Sequence, residues 1–220
     1  MKKNTFPIAS LLAALVLSAP SYAQTLADGF LCCTVRFDYY RNVNRASDAN
    51  WVEFRSHLQA GTPVKVSAYQ ARSPYANTSQ VVGAQSAKPY EFLIAGDKKE
   101  LVLKNEYTQH LSPKDYLGQL VVTTDPKARI ETFSPEIQAA IASGRVMVGM
   151  TKEQVIMALG YPLKKENPNL VSSPMWRYYY GSFDEIFVVF EADGKVRAIE
   201  GLPFTLADAV YPPPPPVVKK

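Results

Sequence analysis

The sequence predicts an α+β protein in two pieces, a small β-rich N-terminal domain followed by a domain of helices and an antiparallel sheet. Three observations predict it. Short stretches of alternating apolar and polar residues recur up to Thr123, separated by clusters of Gly, Pro, Asn and Asp. Ser134 and Thr151 each open a run with helix-capping residues and apolar positions at helical spacing. Beyond Pro162 the period returns to two, and Asp193-Gly194 supplies a strong hairpin turn.

The first 23 residues stand apart. Lys2-Lys3, the apolar run Ile8 to Leu17 and the small-residue end Ser21-Tyr22-Ala23 have the order of a Sec-type signal peptide cleaved after Ala23, which places the protein in the periplasm. The run is about half the ~20 residues that a transmembrane helix requires, so no transmembrane segment is expected. Gln24 follows the cleavage site where a lipoprotein would carry an acylated Cys, and Cys32 follows the bulky pair Phe30-Leu31. No lipid anchor is expected. The formal charge of +4 falls to +2 when Lys2 and Lys3 leave, a balance that does not favour nucleic acid.

Residues 24–133 form the β-rich domain. From Leu31 to Tyr39 the residues Leu31, Cys33, Val35, Phe37 and Tyr39 alternate with Cys32, Thr34, Arg36 and Asp38, the pattern of a half-buried strand. It places Cys33 on the core face and Cys32 on the polar face. A disulfide between these neighbours requires the strand to break there; otherwise the pair are thiols, Cys32 open to an intermolecular bridge. Further strands are expected at Val64 to Tyr69, Tyr90 to Ile94, Glu100 to Lys104 and Leu120 to Thr123. The segment Gln59 to Val66 resembles the glycine turn that leads into a strand of bacterial SH3-like domains. Ser112-Pro113-Lys114-Asp115 starts a helix, expected to be barely more than one turn because Gly118 follows.

Residues 134–206 form the second domain. Ser134-Pro135-Glu136 opens a helix that runs to about Ser143 and stops at Gly144. Thr151 and Gln154 form a capping box, Met150 and Val155 a hydrophobic staple, and Leu159-Gly160 with Pro162 ends that helix. Strands follow at Met175 to Tyr180, Glu185 to Glu191 and Lys195 to Glu200. Residues 207–220 are read as a tail, in which Pro212 to Pro216 is an extended, solvated run.

Val148-Gly149-Met150-Thr151, then Val155, Ala158-Leu159-Gly160-Tyr161-Pro162, then Trp176 and Tyr178, and finally Val188, Phe190, Asp193-Gly194-Lys195-Val196 and Ile199 occur in one order over about residues 134–201. This stretch resembles the BamE (SmpA/OmlA) family. The resemblance implies an α-α-β-β-β layout, shared with β-lactamase-inhibitor-protein-like (BLIP-like) domains, and a protein-protein contact role in envelope assembly. It implies no catalytic residues. The family's outer-membrane assembly member is a lipoprotein, and this chain departs from it in lacking the acylated Cys.

Seven aromatic residues lie between Met175 and Phe190, more than one face of a small sheet needs. Two registers are open: Trp176 and Tyr178 share a face with Val188 and Phe190, or a two-residue turn at Gly181-Ser182 sets Trp176 beside Phe187. In the first, Tyr179, Phe187 and Val189 face away, flanked by Arg177, Glu185 and Glu191. In either register the face of Phe187 and Val189 is covered by the N-terminal domain or offered to a partner, with Arg177, Tyr179, Phe187 and Val189 as the candidate contact residues. No catalytic, cofactor-binding or metal-binding residues are expected. His57 and His110 are the only imidazoles and carry no nucleophile motif. The reading is a non-enzymatic periplasmic module that binds envelope proteins. An inhibitor-like or ligand-binding protein, and a module that binds peptidoglycan, are the alternatives.

Overall fold

The structure, a computed structural model, describes residues 25–40, 43–69, 90–96, 99–108 and 110–213. The expected signal peptide with its cleavage site, and the expected tail beyond Pro213, lie outside the described residues. Among those described, no helix is long and apolar enough to cross a membrane.

The fold is α+β, with a large curled sheet and few helices. The large sheet takes eight strands: β1 (Thr25–Leu31), β2 (Val35–Tyr40), β3 (Val43–Ser47), β4 (Ser56–Leu58), β5 (Pro63–Ala68), β6 (Tyr90–Gly96), β7 (Glu100–Asn105) and β8 (Val121–Val122). Their spatial order is β4-β2-β3-β7-β6-β5-β1-β8, antiparallel throughout except for the parallel pair β3 and β7. Gly61 takes a φ of +78° in the turn that leads into β5. The expected strand Leu31 to Tyr39 is not continuous. It breaks at Cys32 and Cys33, which are disulfide-bonded to each other across a Cα–Cα distance of 3.8 Å. Cys33 is buried in the core of the large sheet and Cys32 is half-buried at its margin, but the expected alternation fails elsewhere. Thr34 and Arg36 are buried because they reach the ends of the later helices Lys152–Leu159 and Pro135–Ala142, and Tyr39 is exposed.

Helix α1 (Pro113–Leu120) is capped by Ser112, whose hydroxyl accepts from the Asp115 N–H. It continues past Gly118, where one turn was expected, because Tyr116, Leu117 and Leu120 are buried. Their burial outweighs the cost of about 1 kcal/mol for a mid-helix glycine. One turn, α2 (Lys127–Ile130), follows. Helix α3 (Pro135–Ala142) is capped by Ser134, and Gly144 closes its end at φ +65°. Helix α4 (Lys152–Leu159) has both halves of the Thr151–Gln154 capping box. Strands β9 (Met175–Tyr179), β10 (Glu185–Phe190) and β11 (Val196–Gly201) form a separate antiparallel sheet in the order β11-β10-β9. A fifth helix, α5 (Pro203–Ala209), has no side-chain cap, and it carries Ala209, assigned from sequence to the tail, to full burial.

The described residues form two apolar clusters. Leu31, Phe37, Val66, Phe92, Ile94, Leu101 and Leu103 lead the first, inside the large sheet. Trp176, Tyr178, Ile186, Val188 and Phe190 join α3 and α4 in the second, which also takes in Val52 and Ala60 from the N-terminal half. The halves are joined by hydrogen bonds as well. Helices α3 and α4 end against the large sheet, so their last carbonyls lack partners within the helix. Side chains of the N-terminal half supply the donors. Thr34 donates through N and Oγ1 to Met157 O, and Asn50 donates to Leu159 O at 2.7 Å. His57 Nε2 and Gln59 Nε2 each lie 3.0 Å from Ala142 O, and Arg36 reaches Gly144 O. His57 thus has a structural place at the end of α3.

Three buried groups lead the response to alkali. Burial pushes the Tyr178 phenol well above its ordinary value, and burial followed by the Asp48 charge does the same to Tyr116. Unfolded, each ionises near pH 10; folded, each keeps its proton, so the fold loses stability as pH rises past that value. Arg36 acts in the other direction. Burial, with Arg145 adding and Asp208 opposing, pulls it down to about 10, so the folded state gives up that proton first. Tyr107 and Tyr180, raised mainly by burial, act with these two phenols, and Lys152, lowered by burial, acts with Arg36, so the balance above about pH 10 is a loss of stability. Urea midpoints are expected to fall between about pH 9.5 and 11.5, and a steady or rising midpoint would refute this balance.

Candidate functional site

The register of β9 and β10 pairs Trp176 with Val188, Tyr178 with Ile186, Arg177 with Phe187 and Tyr179 with Glu185. Trp176, Tyr178, Ile186, Val188 and Phe190 therefore point into the core, and the two-residue turn at Gly181-Ser182 is not formed. A longer loop closes instead, with the Tyr180 N–H donating to Asp184 O. The period of two then sends Arg177, Tyr179, Phe187 and Val189 to the opposite face. All four are half-buried, neither sealed by the N-terminal half nor fully open.

Arg177 is the centre of this face. Its guanidinium lies 5.6 Å from the Phe187 ring centroid, 3.3 Å from Glu185 and 3.5 Å from Glu166. A hydrogen bond to Tyr179 is the main reason its pKa stands above the ordinary arginine value, with Glu185 and Glu166 adding to it against some desolvation. The cation is thus held over an aromatic ring by acceptors around it.

Tyr179 extends the face beyond the small sheet. Its ring meets Trp51 edge-on at 5.9 Å, and Trp51 meets Tyr107 at 5.3 Å in the same T-shaped manner. Trp51 is held by its neighbours, since the Val52 and Glu53 N–H groups donate to Tyr179 O and Tyr180 O. Tyr107 is 44% exposed, on a loop that Asp48 fixes. The Asp48 carboxylate accepts from the N–H groups of Glu106, Tyr107 and Thr108 and from the Thr108 hydroxyl, at 2.7–3.1 Å. Trp51, Tyr107 and Asp48 escape a reading by periodicity because they sit in irregular segments. The one signal was a Trp directly after Asp48-Ala49-Asn50, an aromatic residue in a polar turn.

The edge of β9 is closed. Asn167, 3% exposed, accepts from the Arg177 N–H at 2.8 Å and donates to Arg177 O at 3.1 Å, so its side chain stands where another strand would pair. Lys152 pins the same segment. Its ammonium donates to the carbonyls of Leu170, Val171 and Ser173 while lying over the Trp176 and Phe190 rings. Burial lowers its pKa.

The chemistry on offer is contact chemistry: one planar cation, aromatic rings and an aliphatic side chain on a rigid sheet. His110 is exposed, and the two histidines serve no common site. Among the described residues no group of His, Cys, Asp or Glu is placed to hold a metal ion. Between α1 and the 161–171 segment runs a cleft of about 340 Å³, lined in part by Thr108, Tyr116, Gln119, Tyr161 and Leu163. Comparisons with family models, with curated proteins and with solved structures returned no match.

Proposed function

We propose that the protein is a non-enzymatic, exported recognition module of the cell envelope whose contact surface is the second face of β9–β11, prolonged by Trp51 and Tyr107. The observation that carries this reading is the half-exposed array of Arg177, Tyr179, Phe187 and Val189 on a sheet whose β9 edge is closed by Asn167. Arg and aromatic residues are the types that anchor protein interfaces, and a closed edge directs binding to the face. The order of α3, α4, β9, β10 and β11 is the order that the resemblance to the BamE family implies, which supports an accessory role in envelope assembly. The signal-like residues 1–23 support export to the periplasm.

Phe187→Ala and Tyr179→Ala test it. Each removes half-exposed contact area, so each is expected to cost only about 1 kcal/mol, a shift of a few degrees in Tm. Each is also expected to abolish capture of the envelope partner that the wild-type chain retains after cross-linking. Undiminished capture by both variants would sink the proposal. Sedimentation with purified peptidoglycan, if lost in the same variants, would move the partner from protein to glycan.

A further inference from the structure

The corner at Cys32 and Cys33 is where the ends of the large sheet and the ends of two helices meet. β1 stops at Leu31 and β2 starts at Val35, and the two strands lie towards opposite ends of the strand order. The Cys32 N–H donates to Leu120 O at the end of α1, and the Thr34 N–H donates to Met157 O in the last turn of α4. Thr34 O accepts from Asn50, whose amide also reaches Leu159 O. Leu31, Cys33, Val35 and Phe37 are buried in the first core, and Thr34 and Arg36 between them are buried as well, so the corner is enclosed on both sides. The disulfide lies in the turn by which the chain leaves β1 and enters β2.

We propose that Cys32–Cys33 is a thiol–disulfide exchange site for a dithiol reductant, and that its redox state sets how firmly the first sheet grips α4. Cys33 is 3% exposed, which leaves the half-buried Cys32 Sγ as the atom open to attack. A thiolate of the dithiol bonds to Cys32 Sγ, the Sγ–Sγ bond breaks, and Cys33 leaves as a thiolate and takes a proton. The second thiolate of the reductant attacks its own sulfur in the mixed disulfide and releases Cys32, which is protonated in turn. Two electrons and two protons pass to the cysteine pair, and the dithiol becomes a disulfide. With the ring open, residues 32–34 recover the freedom of an extended strand, and the Thr34 cap on α4 loosens.

The test uses the full chain. Without reductant neither cysteine is expected to react with iodoacetamide, and both are expected to react after native treatment with dithiothreitol. Reduction is expected to speed amide exchange at Thr34 and Gly160 at least about tenfold, while Ile186 and Val188 keep their protection, and reoxidation restores the slow rates. The double variant Cys32→Ser, Cys33→Ser is expected to exchange fast at Thr34 with or without reductant. Free thiols in the untreated protein overturn the proposal, as does unchanged exchange at Thr34 after reduction. A rise that includes the centre of β10 also overturns it, since the bond would then hold the whole fold rather than one grip.

Discussion

Arg36→Ala is expected to destabilise the chain by about 4 kcal/mol. The guanidinium is 3% exposed and donates to Val52 O at 3.2 Å, Phe54 O at 3.1 Å and Gly144 O, joining the turn before β4 to the end of α3. Among the described residues no carboxylate forms a salt bridge with it, and none hydrogen-bonds its buried Nε. Its value thus lies in the carbonyls it satisfies, two of them on the large sheet's side and one at a helix C-terminus where positive charge is favoured. Truncation leaves all three unpaired and opens a cavity between the two cores. Arg36→Met keeps most of the packing and removes a desolvated charge, so it is expected to lose about half as much. Urea denaturation read by tryptophan fluorescence and by circular dichroism should show one shifted transition in both variants. Equal stability of Arg36→Ala and the wild type would contradict the role assigned to it.

Asp48→Ala is expected to cost about 3 kcal/mol and to act on the contact surface as well. Asp48 is 7% exposed, and its two oxygens satisfy three successive backbone N–H groups and one hydroxyl. Without the carboxylate the 106–108 loop loses its anchor and Tyr107 leaves Trp51. The chain has two tryptophans, and Trp176 is fully buried, so a red shift of emission in the folded variant reports Trp51. A lowered urea midpoint together with that shift is the expected result. A stable variant with unchanged emission would show that the loop is held by something else.

The second half of the chain was the more legible, and the reason is locality. Ser134, Thr151, Gln154, Gly144 and Gly160 cap helices within a few residues of their own positions, so their meaning survives in one dimension. Strands β9 and β10 carried a clean period of two, and the loop at Tyr180–Asp184 chose between registers that the pattern left open. The first half hid more. Strand β3 reads Val-Asn-Arg-Ala-Ser, with no alternation to betray it, and it exists because β7 pairs with it in parallel from 57 positions away. β4 has three residues, too few for any period. Helix α1 passes Gly118 and α5 starts without a cap because burial decides them. At the candidate site the four residues of the small sheet followed from alternation, whereas Trp51 and Tyr107 meet only through the hydrogen bonds of Asp48, across 60 positions.

The shared helix ends bear on how the chain reaches this state. The last carbonyls of α4 are satisfied by Thr34 from 123 positions away and by Asn50 from 109, and the end of α3 by Arg36 from 108. Each contact closes a loop of more than a hundred residues before it returns any energy, which raises contact order and slows the final step of folding. Synthesis runs in the favourable direction. The donors on β2 and its neighbouring turn are made first, so each helix meets its cap as it forms, and the search that remains is the docking of a late helix onto an early sheet.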